Sequence, residues 1–407
     1  MTFMKHTTTD RFLRYVSYPT QSDEMSETCP STEKQRVFGA ALAEELQKIG
    51  LTDVELDAHG YLYATLPAEG TADGTTVALI AHMDTSPDAP DAPVRARIVQ
   101  YDGTPIELSA GIFLSNAEYP ALDLYRGQEL VVTDGKTLLG ADDKAGVAEI
   151  VTACEKIIRE KIPHRRIRIC FTPDEEIGRG ADLCDLAKLG ADYGYTVDGG
   201  RLGGIEYENF NAATAVVTVH GRSIHPGDAK DKMINASRLA MEFDAQLPQD
   251  EIPEKTEGYE GFHHLVGMKG ACEEAELVYI IRDHDAAKFR EKKDGFSALA
   301  ARLDRKYGAG TFELSLQDSY YNMASVIADH MELIEDAKRA MRSVGIEPKT
   351  EPIRGGTDGA RLSFMGLPCP NLCTGGENYH SRFEYVPVGS MEKITDMLIV
   401  LVSPADR

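Results

Sequence analysis

The sequence predicts an α/β protein in which a second, smaller α+β domain interrupts the first. The chain has 407 residues, more than one hydrophobic core usually supports. Along its first half, apolar strand-like runs alternate with helical periodicity, which is typical of a sheet covered by helices. Near Phe210 the pattern changes to alternating polar and apolar residues, and the first pattern returns after about Ser325. We therefore predict one domain of residues 1–209 and 323–407, and an inserted domain of residues 210–322.

The chain opens with a predicted helix and a hairpin-like pair of strands. Thr32 and Gln35 have the spacing of a capping box before a helix that Gly50 ends. Residues 53–56 and 61–66 predict the two strands.

Strands and helices then alternate in the first domain. Residues 76–81 are almost all apolar, as in a strand buried on both faces. Further strands are predicted at residues 129–132, 166–171, 193–197 and 370–374. Helices are predicted at about residues 147–158, 181–189, up to 344, after 359, and 388–402.

The inserted domain has a β-α-β-α-β pattern. Its strands are predicted at residues 213–220, 276–281 and 311–316, with helices at 234–246 and 286–307. Polar and apolar residues alternate along the strands, which indicates an antiparallel sheet with one solvated face.

The composition of the chain indicates which partners and which cellular compartment to expect. A net charge of -23 argues against nucleic acid or an anionic membrane as a partner. No apolar run approaches the ~18 residues of a membrane span, and the first ten residues lack an apolar signal core. The seven cysteines are odd in number and lie mostly in apolar runs, which predicts reduced thiols. Together these features predict a cytoplasmic protein.

One turn stands out, Leu139-Gly-Ala-Asp142-Asp143-Lys-Ala-Gly146. It lies between the apolar run 129–132 and a helical pattern, so we expect it to connect a strand of the parallel sheet to a helix. An Asp before a helix most often acts only as a cap. By itself the turn therefore favours a helix cap over a metal site.

Six other acidic or imidazole side chains follow strand-like runs in the same way as Asp142. They are His82, Asp84, Glu175, Glu176, Asp198 and His380. Each could be an ordinary core histidine, helix cap or solvated carboxylate. Together, at the carboxyl edge of one sheet, they would form a costly cluster of negative charge that a bound cation relieves.

The types of ligand narrow the choice of metal. Imidazole with carboxylate suits zinc, with cobalt or manganese as substitutes. Two histidines and at least three carboxylates exceed one tetrahedral site and suit two ions ~3.5–4 Å apart.

Longer motifs carry a resemblance to a known family. They are Arg11-Phe-Leu-Arg-Tyr-Val, Ala81-His-Met-Asp-Thr-Ser-Pro, Leu139-Gly-Ala-Asp-Asp-Lys-Ala-Gly, Phe171-Thr-Pro-Asp-Glu-Glu-Ile-Gly-Arg-Gly, Ile353-Arg-Gly-Gly-Thr-Asp-Gly-Ala and Asn371-Leu-Cys-Thr-Gly-Gly-Glu-Asn-Tyr-His. Over nearly the whole chain the sequence resembles the co-catalytic dizinc exopeptidases and deacylases. That family includes carboxypeptidase G, succinyl-diaminopimelate desuccinylase and acetylornithine deacetylase.

The resemblance implies a zinc-exopeptidase-like mixed sheet with helices on both faces, and two zinc ions. Asp142 would bridge the two ions. His82 and Asp198 would complete one site, and Glu176 and His380 the other. The family also has a cis peptide bond after the bridging aspartate.

The resemblance also implies the catalytic groups. Glu175 would be the general base that takes a proton from the bridging water, and Asp84 would orient His82. The inserted domain would be a lid whose His225 contacts the scissile carbonyl. Without the resemblance, His225 would be an ordinary surface histidine.

Three further residues are implied to contact substrate. Arg282 and Arg354 resemble the arginines that bind the terminal carboxylate of the peptide, a task that suits guanidinium groups. Either could instead form a salt bridge. Asn322 is the third candidate.

The function implied is that of a metallo-aminopeptidase that removes the N-terminal residue of short peptides, above all tripeptides. The alternative is a deacylase of N-acyl amino acids on the same scaffold, because both reactions cleave an amide. The expected partner is a small peptide substrate, and a homodimer is left open.

Overall fold

The computed structural model describes residues 8–70 and 74–403, which form two compact units. Unit 1 comprises the described residues up to Tyr207, Ser325–Glu351 and the described residues from Thr357 onward. Unit 2 comprises Glu208–Ala324 and Pro352–Gly356. The predicted inserted domain, 210–322, differs by two residues at each end.

The short segment Pro352–Gly356 is the larger difference from the predicted domains, because it belongs to unit 2. The backbone N–H of Ile353 donates to the carbonyl of Glu208 at 2.8 Å, and Ile353 forms a parallel bridge with Asn209. Pairing with backbone far away in the sequence leaves no local signal, so residue pattern could not place this segment.

Unit 1 is built on an eight-stranded mixed sheet. Numbered along the chain, its strands are β1 (Thr52–Leu56), β2 (Leu62–Leu66), β3 (Thr76–His82), β8 (Arg166–Thr172), β9 (Tyr193–Gly199), β10 (Gly204–Glu206), β15 (Lys349–Thr350) and β16 (Asn371–Cys373). Their order is β1-β2-β8-β3-β9-β16-β10-β15. The four central strands, β8, β3, β9 and β16, run parallel, so their carboxyl ends meet at one edge.

Helices cover both faces of this sheet. The α-helices that belong to unit 1, apart from the first residue of α7, are α1 (Thr8–Tyr15), α2 (Glu33–Ile49), α3 (Ala141–Glu160), α4 (Leu186–Leu189), α7 (Ala324–Ile327), α8 (Met331–Ser343), α9 (Asp358–Phe364) and α10 (Val388–Val402). Helix α3 packs against β3 and β9, with α1 and α10 beside it. On the other face, Leu189 of α4 and Leu362 of α9 share a core with Ala78 and Ile80 of β3. The predicted fold class is confirmed.

Two smaller sheets lie in unit 1. Strand β7 (Glu129–Val132) pairs antiparallel with β4 (Arg97–Gln100) and β17 (Tyr385–Pro387), and β5 (Ile106–Ser109) pairs with β6 (Ile112–Leu114). The prediction that the run 129–132 belongs to the parallel sheet was wrong. Leu130 and Val132 of this run instead pack in a separate core with Tyr101, Leu108 and Tyr385.

Unit 2 is an antiparallel sheet covered by two helices. The strands are β11 (Asn211–His220), β12 (Phe262–Gly270), β13 (Glu274–Asp283) and β14 (Phe312–Tyr320), in the order β12-β13-β11-β14. The helices are α5 (Ala236–Ala245) and α6 (Ala286–Tyr307). Alternate residues of β11, such as Ala215, Val217 and Val219, enter the core.

Strand β12 was not predicted. Val266 and Met268 in its second half are 50% and 48% exposed, so the run lacks the alternation that marks the other strands.

In the described part of the chain, no helix has the length and apolar character needed to cross a membrane.

Candidate active site

His82 and two aspartates meet at the carboxyl edge of the main sheet. His82 is the last residue of β3 and is 2% exposed. Its Nδ1–H donates to the backbone carbonyl of Asp84 at 3.1 Å, so the lone pair of the neutral ring lies on Nε2. That Nε2 lies 2.8 Å from Oδ1 of Asp142 and 3.3 Å from Oδ1 of Asp198. An unprotonated nitrogen facing two carboxylate oxygens requires a proton or a metal ion between them.

Asp142 lies between two histidines. Its Oδ2 is 3.4 Å from Nε2 of His380, and the same nitrogen is 2.8 Å from Oε2 of Glu176. Nδ1 of His380 is 2.9 Å from a carboxylate oxygen of Asp88. The two oxygens of Asp142 therefore face different imidazoles, which is the arrangement expected of a carboxylate shared by two metal ions.

The donor set fits divalent metal ions. Potential ligand atoms of His82, Asp142 and Glu176 all lie within 4.8 Å of one another, and so do those of His82, Glu175 and Asp198. Oε1 of Glu176 is buried and has no hydrogen-bond partner among the residues that the structure describes. A buried carboxylate oxygen left in this way is costly unless a cation contacts it.

The charges of the cluster lead to the same conclusion. Burial raises the pKa of Asp198 to about 8, that of Glu176 to about 7, and that of Glu175 well above its ordinary value. Burial acts in the same direction on Asp142, but hydrogen bonds with His380 and His82 outweigh it and lower its pKa. The chain by itself therefore does not keep all four carboxylates ionised, whereas bound divalent ions would.

Asp84 supports two parts of the cluster. One carboxylate oxygen accepts the backbone N–H of Glu175 at 3.0 Å, and the other accepts that of Glu176 at 3.1 Å. The carboxylate also lies 3.3 Å from Nδ1 of His82. Asp84 thus contacts the histidine it was predicted to orient, and it also holds the loop of the two glutamates.

Glu384 was missed by the sequence analysis. Its buried carboxylate accepts four consecutive backbone N–H groups, those of Leu139, Gly140, Ala141 and Asp142, at 2.7–3.2 Å. The peptide bond that follows, Asp142–Asp143, is cis. Glu384 lies four residues after His380, but nothing in its local pattern indicates that it binds a turn more than 240 residues away.

His225 lies in unit 2, in an exposed loop after β11. Its Nδ1 accepts the backbone N–H of Gly227 at 3.2 Å, so the neutral ring carries its hydrogen on Nε2. The free Nε2–H could donate to a carbonyl oxygen, which is the role implied for His225.

The two candidate arginines of unit 2 differ in how many donors are in use. Arg354 donates to the carbonyls of Gly258 and Glu260 and to the carbonyl and hydroxyl of Thr256, at 2.8–3.3 Å. Arg282 donates from Nη1 to the carbonyl of Arg354 at 3.3 Å, whereas its buried Nε has no hydrogen-bond partner in the described part of the chain. The guanidinium of Arg282 is therefore the freer of the two.

Asn322, the third candidate, is engaged within unit 2. Its side-chain oxygen accepts the backbone N–H groups of Asn209 and Ala324, and its amide donates to the carbonyl of His284. Its contact with substrate stays a prediction.

Comparison with known proteins gives a consistent result. Residues 129–403 match the model of peptidase family M20/M25/M40. Peptidase T of Caldanaerobacter subterraneus is 53% identical over 397 residues, with 97% of each chain covered. Peptidase T of Parabacteroides distasonis is 51% identical over 404 residues, with 98% of this chain and 99% of the relative covered.

Solved structures share the fold at lower identity. The aminopeptidase PepT of Bacillus cereus has a TM-score of 0.76 at 24% identity, covering 97% of both chains. A tripeptidase of Staphylococcus aureus has a TM-score of 0.77 at 22% identity, covering 97% of this chain and 96% of that one. A dinuclear metal-binding M20 peptidase of Bacillus subtilis has a TM-score of 0.66 at 12% identity, with 97% and 96% covered.

Proposed function

Because the chain belongs to peptidase family M20/M25/M40, we propose that it is a metal-dependent aminopeptidase that removes the N-terminal residue of tripeptides. The observation that carries the proposal is the position of Asp142 between His82 and His380, with Glu175, Glu176 and Asp198 beside them. Relatives half identical over almost the full length are peptidase T enzymes, which favours tripeptides over N-acyl amino acids.

We propose zinc as the metal, with cobalt or manganese as substitutes, because imidazole and carboxylate ligands suit these ions. His82 and Asp198 would hold one ion, Glu176 and His380 the other, and Asp142 both. When bound, such a pair polarises the scissile carbonyl and lowers the pKa of a bound water. Reduced thiols suit the cytoplasm, which we propose as the location; all seven cysteines are free.

The chain supplies the proton transfers. Glu175 accepts the proton of the attacking water and returns it to the leaving amine as the C–N bond breaks. Burial raises the pKa of Glu175, which makes its ionised carboxylate a stronger base. Nε2–H of His225 is assigned to donate to the carbonyl oxygen, and Arg282 to bind the terminal carboxylate.

Turnover by the zinc-loaded chain tests the reaction. The substrates are a tripeptide, the matching dipeptide, the N-acetylated tripeptide and an N-acetyl amino acid. We expect the free tripeptide to be cleaved fastest and acetylation to abolish cleavage. Faster hydrolysis of the N-acetyl amino acid would replace the proposal with the deacylase alternative.

The base is tested with Glu175→Gln, which keeps the shape of the side chain but cannot take a proton. We expect kcat to fall about 10²–10⁴-fold with both metal ions retained. The exposed Glu118→Gln is the matched control and should leave kcat unchanged. Near-normal turnover of Glu175→Gln would remove Glu175 from the mechanism.

A further inference from the structure

The predicted capping box at the start of α2 is not formed, and its glutamine has another partner. Thr32 is the N-cap but makes no side-chain cap; its hydroxyl donates to the carbonyl of Gln21 at 2.9 Å. The amide of Gln35 instead pairs with Asp174: Nε2 donates to Oδ1 at 2.6 Å, and Oε1 accepts the backbone N–H of Asp174 at 3.1 Å. The side-chain amide of Gln35 makes a weak contact of 3.4 Å with the hydroxyl of Thr32, and the backbone N–H of Gln35 donates to the carbonyl of Thr32 at 3.3 Å.

Asp174 immediately precedes Glu175 and is fully buried. Its backbone is left-handed, with φ of 57°, so the chain turns sharply there. Its carboxylate also accepts the hydroxyl of Ser31 on Oδ1 at 2.5 Å and the backbone N–H of Ser31 on Oδ2 at 2.7 Å. Ser31 and Gln35 thus hold both the side chain and the N–H of the residue before the proposed base.

The same loop is held from its other side by Asp84, which accepts the N–H groups of Glu175 and Glu176. Three consecutive backbone N–H groups, from Asp174 to Glu176, are therefore bound by side chains of distant elements. A base must lie within hydrogen-bond distance of the water it deprotonates, and a misplacement of about 1 Å can cost about 10² in rate.

We propose that Ser31 and Gln35 are positioning residues that set the direction of Glu175 through Asp174. The proposal rests on the proposed function, since it takes Glu175 to be the base. Both residues act through hydrogen bonds to the carboxylate and backbone N–H of Asp174.

The proposal is tested by exchanging the amide of Gln35 and the carboxylate of Asp174 between the two positions. Asp174→Asn places an amide donor against Nε2 of Gln35, and Gln35→Glu places two carboxylates against each other. In the double variant the new amide can donate to the new carboxylate, so both bonds between the two residues re-form with the same net charge. We expect each single variant to lower kcat about 10–100-fold with KM and metal content unchanged. We expect the double variant to recover to within about threefold of the original kcat.

A second measurement follows the loop without turnover. In metal-free protein, amide exchange of residues 172–178 should be faster in each single variant and return to normal in the double variant. Ser31→Ala, a milder change that keeps the backbone N–H, should lower kcat about three- to tenfold and fold normally. Thr32→Ala is the matched control on the same turn and should leave kcat unchanged.

The outcomes are distinguishable. The positioning role would be overturned if Asp174→Asn, Gln35→Glu and Ser31→Ala lowered the stability of the protein but kept its kcat. A double variant with a kcat no higher than that of the slower single variant would also overturn it. Failure of the proposed function appears differently, as an original chain without tripeptide turnover or as a Glu175→Gln variant that stays active.

Discussion

A single carboxylate, Glu384, organises the turn that presents Asp142. It accepts the N–H groups of four consecutive residues and is 2% exposed. Burial raises its pKa to about 7, while the N–H groups favour its charged form. Outer groups of this kind hold metal ligands in place, so their loss weakens metal binding.

We expect Glu384→Gln to weaken metal binding about 10–100-fold, because the new amide would oppose two backbone N–H groups of the turn. Competition with a chelator measures the dissociation constant. Glu118→Gln should leave that constant unchanged. An unaltered constant in Glu384→Gln would show that the turn holds its shape without this carboxylate.

The hydrogen bonding of the Arg282 guanidinium allows a second prediction. Its buried Nε has no hydrogen-bond partner within residues 8–70 and 74–403, and the guanidinium lies 5.5 Å over the ring of Tyr320. A lysine cannot supply the two parallel donors that a guanidinium offers a carboxylate. We expect Arg282→Lys to raise KM for a tripeptide about tenfold, with little effect on the same peptide amidated at its C-terminus.

The comparison of acid and amide substrates provides the control. An equal rise in KM for both peptides would mean that Arg282 does not bind the carboxylate. The matched variant Arg354→Lys should instead reduce the stability of unit 2, because its donors already bind the loop of residues 256–260.

At the scale of elements, Arg11 joins three helices of unit 1. The side chain lies on α1 and is 1% exposed. It contacts Glu45 of α2 at 2.9 Å, and Glu155 and Thr152 of α3 at 2.9 and 3.1 Å. Removing one partner of a buried ion pair leaves an uncompensated charge, so Arg11→Met should lower the free energy of unfolding by about 3–5 kcal/mol.

The same ion pair gives a pH dependence. Burial alone would raise the pKa of Glu45, but the hydrogen bond from Arg14 and the charges of Arg11 and Arg14 lower it below 4.5. A lowered folded-state pKa means that the stabilisation is complete above pH 4.5 and is lost as pH falls through the folded-state value.

Urea unfolding of metal-free protein measures this effect. The stability difference between the original chain and Glu45→Gln should be largest near pH 6 and shrink towards pH 3. Glu44→Gln on the same helix is the control, because Glu44 is 72% exposed and its ion pair with Lys48, at 3.4 Å, is on the surface. A difference that is constant with pH would contradict the assigned charge interaction.

At the scale of the whole molecule, the two units have separate cores. Nineteen buried residues of unit 2, from Ala213 to Phe312, form one hydrophobic cluster. All the proposed metal ligands, and Glu175, belong to unit 1. Metal binding should therefore stabilise unit 1 directly.

We expect chelation to speed amide exchange in unit 1 and leave the core strands β11 and β13 of unit 2 unchanged. Each zinc ion, at a hundredfold excess over its dissociation constant, would stabilise unit 1 by about 2.7 kcal/mol. Exchange measured by mass spectrometry on loaded and chelated protein provides the test. A uniform increase across both units would contradict separate stabilisation.

Local pattern predicted much of the fold. The apolar run that ends at His82, the helix of residues 286–307 and the final helix 388–402 were all predicted, because periodicity and strand burial are visible in a short window. The helix predicted at 181–189 is shorter, beginning at Leu186 after Asp185, whose side chain accepts the N–H of Lys188. The helix is short because its N-cap, Asp185, lies close to the C-terminal end of the predicted run.

The sequence by itself determined which chemistry was available. Two imidazoles and several carboxylates at strand ends predict divalent metal ions, because residue type and strand burial are local properties. The roles assigned to the individual residues remain proposals, although the structure places His82, Asp142, Glu176, Asp198 and His380 together.

Only the tertiary structure decided what holds those side chains. Glu384 binds a turn more than 240 residues away in the sequence. Gln35 donates to Asp174, although the sequence predicted a capping box with Thr32. The donors of Arg354 are used by a loop almost a hundred residues earlier. Hydrogen bonds of this kind depend on which backbone groups the fold brings together and leaves unpaired, and that information is absent from any local stretch of the chain.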